Sequence, residues 1–200
     1  MNKTTALFGC FGLTALLALI AIFWGMGSYN GLVEKQEEVE KRWSQVRNVY
    51  QRRFDLIPNL VETVKGAANF EKSTLTEIAE MRSRVGQLNV NESTFKDPDA
   101  LKNFMQSQQA LSSSIGRLMV VAENYPDLKA SQNFRDLQVQ LEGTENRITT
   151  ERMKFNEAVK DYNTSVRKFP GSVFAAIFGF SKIDYFEGEQ GIDKAPKVKF

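Results

Sequence analysis

An uncharged apolar stretch near the amino terminus, Ala6 to Gly27, constrains this chain more than any other feature. It contains 22 residues, and the window without a charged side chain extends further, from Thr4 to Val33. As an α-helix, 22 residues reach about 33 Å, which matches the roughly 30 Å hydrocarbon core of a bilayer. The sequence therefore predicts a transmembrane anchor over residues 1–28, followed by a helical body.

Two other interpretations of this stretch stay open. A secretory signal peptide has an apolar core of about 7–15 residues, shorter than this one, although Gly25 and Gly27 could imitate a cleavage site. Cys10 resembles a lipid-attachment cysteine, but most of the apolar core follows it instead of preceding it. We therefore interpret Cys10 as an apolar residue of the span, and Trp24 and Tyr29 as residues of the membrane interface.

The side of the membrane on which the body lies is only weakly indicated. One basic side chain, that of Lys3, precedes the span. Basic residues also follow it closely: Lys35, Lys41, Arg42 and Arg47. The positive-inside rule then favours a cytoplasmic body in a single-pass cytoplasmic (inner) membrane protein. Long domains can be translocated largely regardless of charge, so the opposite topology stays open.

Composition excludes several kinds of chemistry from this chain. Of its 200 residues, 26 are basic and 24 acidic, and a net charge of +2 gives no general field for nucleic acid. It has no histidine and only one cysteine. Intrachain disulfides, Cys/His zinc sites, Ser-His-Asp triads and di-metal sites built on Glu-x-x-His are therefore excluded. The sequence also lacks a phosphate-binding glycine loop and a dinucleotide fingerprint.

Apolar residues at steps of three and four predict four helices in the body. Gly31 is the only weak point between the span and the first of them, so the two are predicted to form one nearly continuous helix. Pro58 is predicted to end or kink that helix near Asp55 and to begin a second one over about residues 58–89. The stripe on the first helix consists of Leu32, Val39, Trp43, Val46, Tyr50 and Phe54.

The third and fourth helices follow a turn-rich connector at residues 89–98. Asp97 is predicted to cap a helix that begins at Pro98 and ends before Pro126. In the fourth helix, of about 35 residues, one seam position recurs every seven residues: Phe134, Leu141, Ile148, Phe155, Tyr162 and Phe169. A period of 3.5 is typical of coiled-coil packing, so the sequence predicts an all-α fold with an elongated four-helix bundle.

Polar residues on these helices offer few candidates for a site. Glu151 lies on the companion edge of the fourth helix and would need a partner if buried. The candidate partners are Arg52, Arg53 and Arg147. Four asparagines could be buried or exposed: Asn69, Asn146, Asn156 and Asn163. The densest carboxylate group is predicted to be solvated: Glu37, Glu38 and Glu40. The sequence therefore predicts a non-enzyme, with no catalytic, cofactor-binding or metal-ligating residue.

A short apolar segment at 172–180, SVFAAIFGF, follows the fourth helix. It cannot span a bilayer, so it packs on the bundle, lies on the membrane surface or meets another subunit. The body is predicted to extend over residues 29–187. The polar tail, 188–200, is predicted to be mobile.

Five stretches of the chain, in order, resemble the LemA family of bacterial membrane proteins. They are YNGLV (29–33), RRFDLIPNLVETVKG (52–66), AENYPDLKAS (122–131), LEGTENRI (141–148) and FNEAV (155–159), the last followed by Tyr162-Asn163 and Phe169-Pro170. The resemblance implies one N-terminal span and an up-and-down four-helix bundle of somewhat bromodomain-like arrangement. It supplies no reaction and no catalytic residue.

The resemblance also extends to proteins involved in forming membrane organelles, which fits a scaffold. We therefore expect a membrane-anchored scaffold or interaction protein that binds the lipid bilayer, a second copy of itself or an unidentified protein. The alternative is an adaptor or regulator of a membrane enzyme such as a peptidase. No cofactor and no nucleic acid are expected.

Overall fold

The computed structural model describes residues 3–66 and 71–186, with side chains at residues 16, 19, 20 and from 22 onwards within those ranges. This part of the chain is all-α, as predicted, and contains no strand. Its α-helices are α1 Lys3–Lys65, α2 Lys72–Gly86, α3 Pro98–Ala122, α4 Pro126–Ala130, α5 Gln132–Arg167 and α6 Gly171–Phe178, with a 3-10 turn at Thr94–Lys96.

The chain divides into two compact units. The central unit comprises residues 40–157 and 183–200, and the terminal unit comprises residues 1–39 and 158–182. Helices α1 and α5 each contribute residues to both units. The predicted boundaries at residues 28 and 187 stay predictions. Asn69 and the predicted tail, 188–200, lie outside the described residues.

Helix α1 is a single helix of 63 residues. It passes through Gly31 without a break, which confirms that the apolar stretch and the first body helix are continuous. It also passes through Pro58, so the predicted helix end near Asp55 is wrong. Ile57 and Leu60, on either side of the proline, are fully buried. Two such side chains contribute about 3–6 kcal/mol, which offsets the roughly 3 kcal/mol cost of an interior proline.

The second predicted helix, over residues 58–89, is therefore divided differently. Its first part belongs to α1, which ends at Lys65, and its second part is α2, which begins at Lys72 and ends at Gly86. Most of the predicted span lies outside the residues whose side chains are described. Within the described residues, no helix has an apolar stretch long enough to cross a bilayer.

The core of the central unit is shared by its long helices. Ile57, Leu60 and Val64 of α1 meet Ile78 and Val85 of α2 in one apolar cluster. The cluster also contains Leu111, Ile115, Leu118 and Ala122 of α3, Leu128 of α4, and Phe134 and Leu141 of α5. The apolar periodicity of the sequence therefore identifies the buried faces of these helices, although Phe54 of the predicted stripe on α1 is only half-buried.

The beginning of α3 is capped as predicted. The side chain of Asp97 accepts hydrogen bonds from the backbone N–H groups of Asp99, at 3.0 Å, and Ala100, at 3.2 Å. Pro98 occupies the first helical turn, where a missing N–H costs nothing. The helix ends at Ala122, ahead of Pro126.

The seven-residue seam of α5 is buried at five of its six predicted positions. Phe169 is the exception, with 77% of its surface exposed. Helix α5 ends at Arg167, so the helical period no longer places Phe169 on the same face. The buried members are Phe134, Leu141, Ile148, Phe155 and Tyr162.

Glu151 lies at the margin of the seam, with its side chain 18% exposed. The predicted arginine partners are wrong, because its Oε1 accepts a hydrogen bond from Lys154 Nζ at 2.8 Å. Lys154 is one turn further along the same helix and reaches Glu151 without crossing to another element. Among the predicted asparagines on α5, Asn146 is exposed and Asn163 is buried.

In the terminal unit, one side of α6 packs on α1. The rings of Tyr29 and Phe178 lie 4.9 Å apart, and those of Tyr29 and Phe180 lie 5.7 Å apart, both edge to face. A Cβ atom added at Gly25 would lie 3.1 Å from the ring of Phe174, so these two helices approach closely here. Ala175 of α6 is also buried.

Candidate functional site

A buried arginine marks the candidate site in the central unit. Arg53 of α1 is only 2% exposed. The buried residues of α1 follow alternating steps of three and four: Trp43, Val46, Tyr50, Arg53, Ile57, Leu60 and Val64. Arg53 therefore occupies a core position, whereas the predicted stripe residue Phe54 is only half-buried.

The guanidinium of Arg53 is held by groups from two other helices. Its Nη1 donates to Glu145 Oε1 of α5 at 2.9 Å. Its Nη2 donates to the main-chain oxygen of Gln108 at 3.1 Å and also to the side-chain Oε1 of that residue. The guanidinium carbon lies 5.0 Å from the ring centroid of Tyr50. The charge is therefore compensated by a carboxylate and neutral oxygens, although its Nε has no partner.

Gln108, like Arg53, is a polar residue at a core position of its own helix, α3. Apart from Ser114, the buried residues of α3 also alternate in steps of three and four: Leu101, Phe104, Gln108, Leu111, Ile115, Leu118 and Ala122. Gln108 is only 5% exposed. Two polar residues in otherwise apolar stripes thus meet each other across the core.

A groove of about 630 Å³ opens beside this cluster. Its charged lining residues are Arg53, Lys102, Arg152 and Glu145, which give a surplus of positive charge. Its remaining polar lining consists of Gln106, Gln108, Gln109, Ser112, Ser113 and Thr149. This mixture of cations, amides and hydroxyls can bind a polar or acidic ligand through hydrogen bonds.

The phenol of Tyr50 also lines the groove. Burial raises its pKa above the ordinary value of 10.0, and the opposing effects of Arg152 and Arg53 are smaller. The phenol therefore stays protonated at neutral pH and is a neutral hydrogen-bonding group there. This protonation state suits binding better than acid–base catalysis, which favours groups that titrate near the working pH.

Phe186 forms one wall of the groove and is fixed in place by Asn156. The amide of Asn156 donates to the main-chain oxygen of Phe186 at 2.9 Å and accepts from its N–H at 2.8 Å. The Phe186 ring lies among aromatic side chains, with its centroid 5.3 Å from that of Phe155 and 6.1 Å from that of Trp43. The guanidinium carbon of Arg152 lies 5.1 Å from the same ring.

The acidic group singled out from the sequence does not contribute to this groove. Glu37 is exposed, while Glu38 and Glu40 are half-buried. Glu40 pairs with Lys96 at 2.5 Å. Within the described residues, no three acidic, histidine or cysteine side chains are placed to hold a metal ion.

The sequence offers Arg53 only as a candidate partner for Glu151 and does not reveal the cluster. The spacing of residues contains one signal for it. Arg53 is three residues after Tyr50 and four before Ile57, so it continues the apolar stripe. A charged residue in register with a buried stripe predicts a buried ion pair, but the pattern gives no way to select Gln108 and Glu145 as its partners.

Comparison with known protein families shows which family this chain belongs to. A sequence profile described as the LemA family matches residues 42–200, which include Arg53, Gln108, Glu145 and Asn156. The chain belongs to the LemA family. This membership confirms the resemblance found in the sequence.

Three curated proteins are similar to this LemA-family chain. Magnetosome protein MamQ of Magnetospirillum gryphiswaldense is 27% identical over 174 residues, which cover 79% of this chain and 64% of MamQ. Magnetosome protein MamQ 2 of Paramagnetospirillum magneticum is 27% identical over 175 residues, covering 80% and 64%. Protein LemA of Metamycoplasma hominis is 26% identical over 150 residues, covering 75% and 64%. The matches thus span 64% of each relative's length. None of the three bears the name of an enzyme.

Proposed function

We propose that this chain is a non-enzymatic, membrane-anchored helical scaffold or interaction protein. The observation that carries the proposal is the apolar surface of α1 ahead of the packed body. Large apolar side chains there are 50–72% exposed: Leu16, Leu19, Ile20, Ile22, Phe23, Trp24 and Met26. Soluble monomers rarely leave so continuous an apolar surface in water, whereas a bilayer would cover it.

Two further features support a membrane-spanning role for residues 6–27. The stretch contains no charged residue and is long enough to cross the hydrocarbon core as a helix. It also continues without interruption into the helix that carries the buried stripe of the central unit. The proposal includes the up-and-down order of the four long helices that the family resemblance implies.

Paired arginine substitutions test the anchor. Each arginine at the centre of a spanning helix costs about 2.5–3.5 kcal/mol on insertion scales. We expect the Leu16→Arg/Leu19→Arg variant to appear in the alkali-extractable fraction, while the unaltered chain stays in the membrane pellet. Val120→Arg/Val139→Arg is the matched control, because these apolar side chains are 71% and 68% exposed on α3 and α5. Extraction of both variants, or of neither, would contradict an anchor at residues 6–27.

The scaffold role requires a partner, and a second copy of the chain is the simplest. Measurement of the mass of the full chain in a mild detergent tests self-association. A mass above that of one chain, falling on dilution, is expected. A strictly monomeric particle at every concentration would remove self-association from the proposal and leave binding to another protein.

The alternative is an adaptor for a membrane enzyme such as a peptidase, and the positively charged groove favours it as a binding surface for acidic segments. Isolation of the tagged chain from native membranes should then recover one enzyme above background. The Lys102→Glu variant, in the groove lining, should lose that enzyme, whereas Lys72→Glu at the exposed start of α2 should keep it. Recovery of no enzyme would eliminate the adaptor role.

The proposed location is the cytoplasmic membrane, with the body on the cytoplasmic side. The support is the greater number of lysine and arginine residues after the span than before it. Protease added to intact cells should leave the body uncut and should cut it after lysis. Digestion of the body in intact cells would reverse the topology without affecting the anchor.

A further inference from the structure

Helix α6 is apolar on every side. Its eight residues, Gly171–Phe178, contain no charged side chain and only one hydroxyl, that of Ser172. The nearest charges are Lys168 before the helix and Lys182 after it. A surface helix of a soluble domain normally has a polar face opposite its buried one, and α6 has none.

One side of α6 is already covered by α1. Phe174 approaches Gly25, and Phe178 packs on Tyr29 with ring centroids 4.9 Å apart. These contacts place α6 beside the end of the apolar stretch, since Gly25 lies within it and Tyr29 lies two residues beyond it. The position of α6 along α1 is therefore that of the boundary between the proposed span and the body.

The other side of α6 is uncovered. Val173 is 48% exposed and Ile177 is 66% exposed, and even Phe178, which packs on Tyr29, keeps 53% of its surface exposed. Val173 and Ile177 are four residues apart, so they project from the same face of the helix. Phe169, just ahead of α6, is 77% exposed. Val173 and Ile177 form the free face of α6.

The backbone at both ends of α6 is hydrogen-bonded within the chain. At its start, the N–H of Ser172 donates to Lys168 O at 2.8 Å and that of Val173 donates to Pro170 O at 3.0 Å. At its end, the N–H of Phe180 donates to Ala175 O at 3.0 Å, across Gly179 in the left-handed region. Unpaired backbone groups are costly in a non-aqueous environment. Because the backbone at both ends of α6 is hydrogen-bonded within the chain, the helix can be transferred from water to lipid at a lower cost.

We propose that α6 lies in the interface of the bilayer that α1 crosses, with its free face covered by lipid. This inference rests on the proposed anchor. Eight residues are too few to span a membrane, but an apolar helix with aromatic side chains is suited to the boundary between headgroups and acyl chains. Lys168 and Lys182, on either side of the helix, can extend their ammonium groups to lipid phosphates while their methylene groups stay apolar.

Lipid fits the free face better than a second copy of the chain. Protein interfaces normally surround an apolar centre with a polar rim that supplies hydrogen bonds. The free face of α6 has no such rim, because α6 carries no charged side chain. Helix α6 packs on α1 at Gly25, within the apolar stretch that the proposed anchor assigns to the bilayer, so lipid can reach the free face there.

A fluorescent probe at residue 177 tests this placement in the full-length chain. In a Cys10→Ser background, Ile177→Cys is labelled with an environment-sensitive dye and the protein is reconstituted into phosphatidylcholine–phosphatidylglycerol vesicles. Val139→Cys, an exposed apolar position of the central unit, is the matched control. We expect brominated lipid to quench the probe at 177 several-fold more than the probe at 139, and aqueous iodide to do the reverse. Val173→Cys, on the same face of α6, should repeat the result for 177.

Each other outcome has a distinct meaning. If iodide reaches the probes at 173 and 177 as readily as the probe at 139 in vesicle-bound protein, α6 is in water and the proposal is wrong. If neither quencher reaches 173 and 177, protein covers the face, and a second copy replaces lipid as its partner. Flotation of the vesicles is measured first. A chain that does not float with them disproves the anchor, and this inference falls with it.

Discussion

The guanidinium Nη2 of Arg53 donates a hydrogen bond to the main-chain oxygen of Gln108, 3.1 Å away, and each residue interrupts an apolar stripe on its own helix. The pairing fixes how α1 and α3 align along their lengths. If one helix moved by a turn, Arg53 would face apolar side chains and remain charged without acceptors. Buried polar groups that are satisfied in only one alignment give specificity at some cost in stability.

Removal of the arginine should therefore be costly. We expect Arg53→Ala to lower the free energy of unfolding by about 2–4 kcal/mol, because it leaves a cavity and deprives Glu145 and Gln108 of their donor. Glu145 is 39% exposed, so water compensates part of the loss and the effect stays below that of a fully buried pair. Urea unfolding in detergent, followed by circular dichroism, measures the change. The exposed neighbour Arg52→Ala should stay within about 0.5 kcal/mol of the unaltered chain.

The two polar residues should also be energetically coupled. Arg53→Met keeps most of the side-chain volume but leaves the Gln108 amide without its charged partner. Adding Gln108→Leu removes that amide, so the double variant should be less destabilised than the sum of the single variants by about 1 kcal/mol. A double-mutant cycle from the same unfolding measurements gives the coupling. Strictly additive effects would show that the contact does not determine the pairing of α1 with α3.

Stability should fall at alkaline pH partly through Tyr50. Burial raises its pKa in the folded chain above the ordinary value of 10.0, so the unfolded chain loses this proton first. Between the two pKa values the folded state binds more protons, and the free energy of unfolding decreases as pH rises. Tyr50→Phe lacks this group, so its free energy of unfolding should fall less between about pH 9 and 11. Parallel slopes for the two proteins would contradict the assignment.

The wall of the groove should depend on Asn156. Its side chain exchanges two hydrogen bonds with the backbone of Phe186, at 2.8 and 2.9 Å. We expect Asn156→Ala to speed hydrogen exchange at the Phe186 amide at least about tenfold, since the loss of about 1.4 kcal/mol of local stability has that effect. Asn146→Ala, at an exposed position of the same helix, is the control. Equal exchange rates in the two variants would show that the aromatic contacts alone hold Phe186.

Two glycines should respond in opposite ways to alanine. A Cβ atom at Gly171 would lie 2.3 Å from the main-chain oxygen of Ser165, so Gly171→Ala must displace the start of α6. At Gly143, inside α5, an added Cβ would have no atom within 4 Å apart from its chain neighbours and the adjacent backbone of its own helix. Gly143→Ala should therefore raise the free energy of unfolding by about 0.5–1 kcal/mol, while Gly171→Ala should lower it. Melting temperatures of the two variants, compared with the unaltered chain, give the signs directly.

The sequence predicts the helical fold well, because burial imposes a regular period. Val46, Leu111 and Ile148 are all in the core where steps of three and four place them. The period does not predict the residue at which a helix ends. Pro58 is tolerated because the residues around it are buried, and Phe169 is exposed because α5 has already ended.

The candidate site is harder to predict from the sequence than the fold, for two reasons. Arg53 and Gln108 are 55 residues apart, and their pairing depends on how α1 and α3 pack. The groove is further shaped by Phe186, which lies after the last helix and has no periodic pattern to mark it. Local patterns identify buried faces, whereas a site of this kind requires the relative placement of several helices.

The attachment of Phe186 to Asn156 also determines what a ligand of the groove would encounter. The ring of Phe186 is part of the groove lining, and the backbone of that residue is held by a side-chain amide of α5. A ligand in the groove would therefore contact a wall whose position depends on two hydrogen bonds, and its affinity would change with a substitution at Asn156.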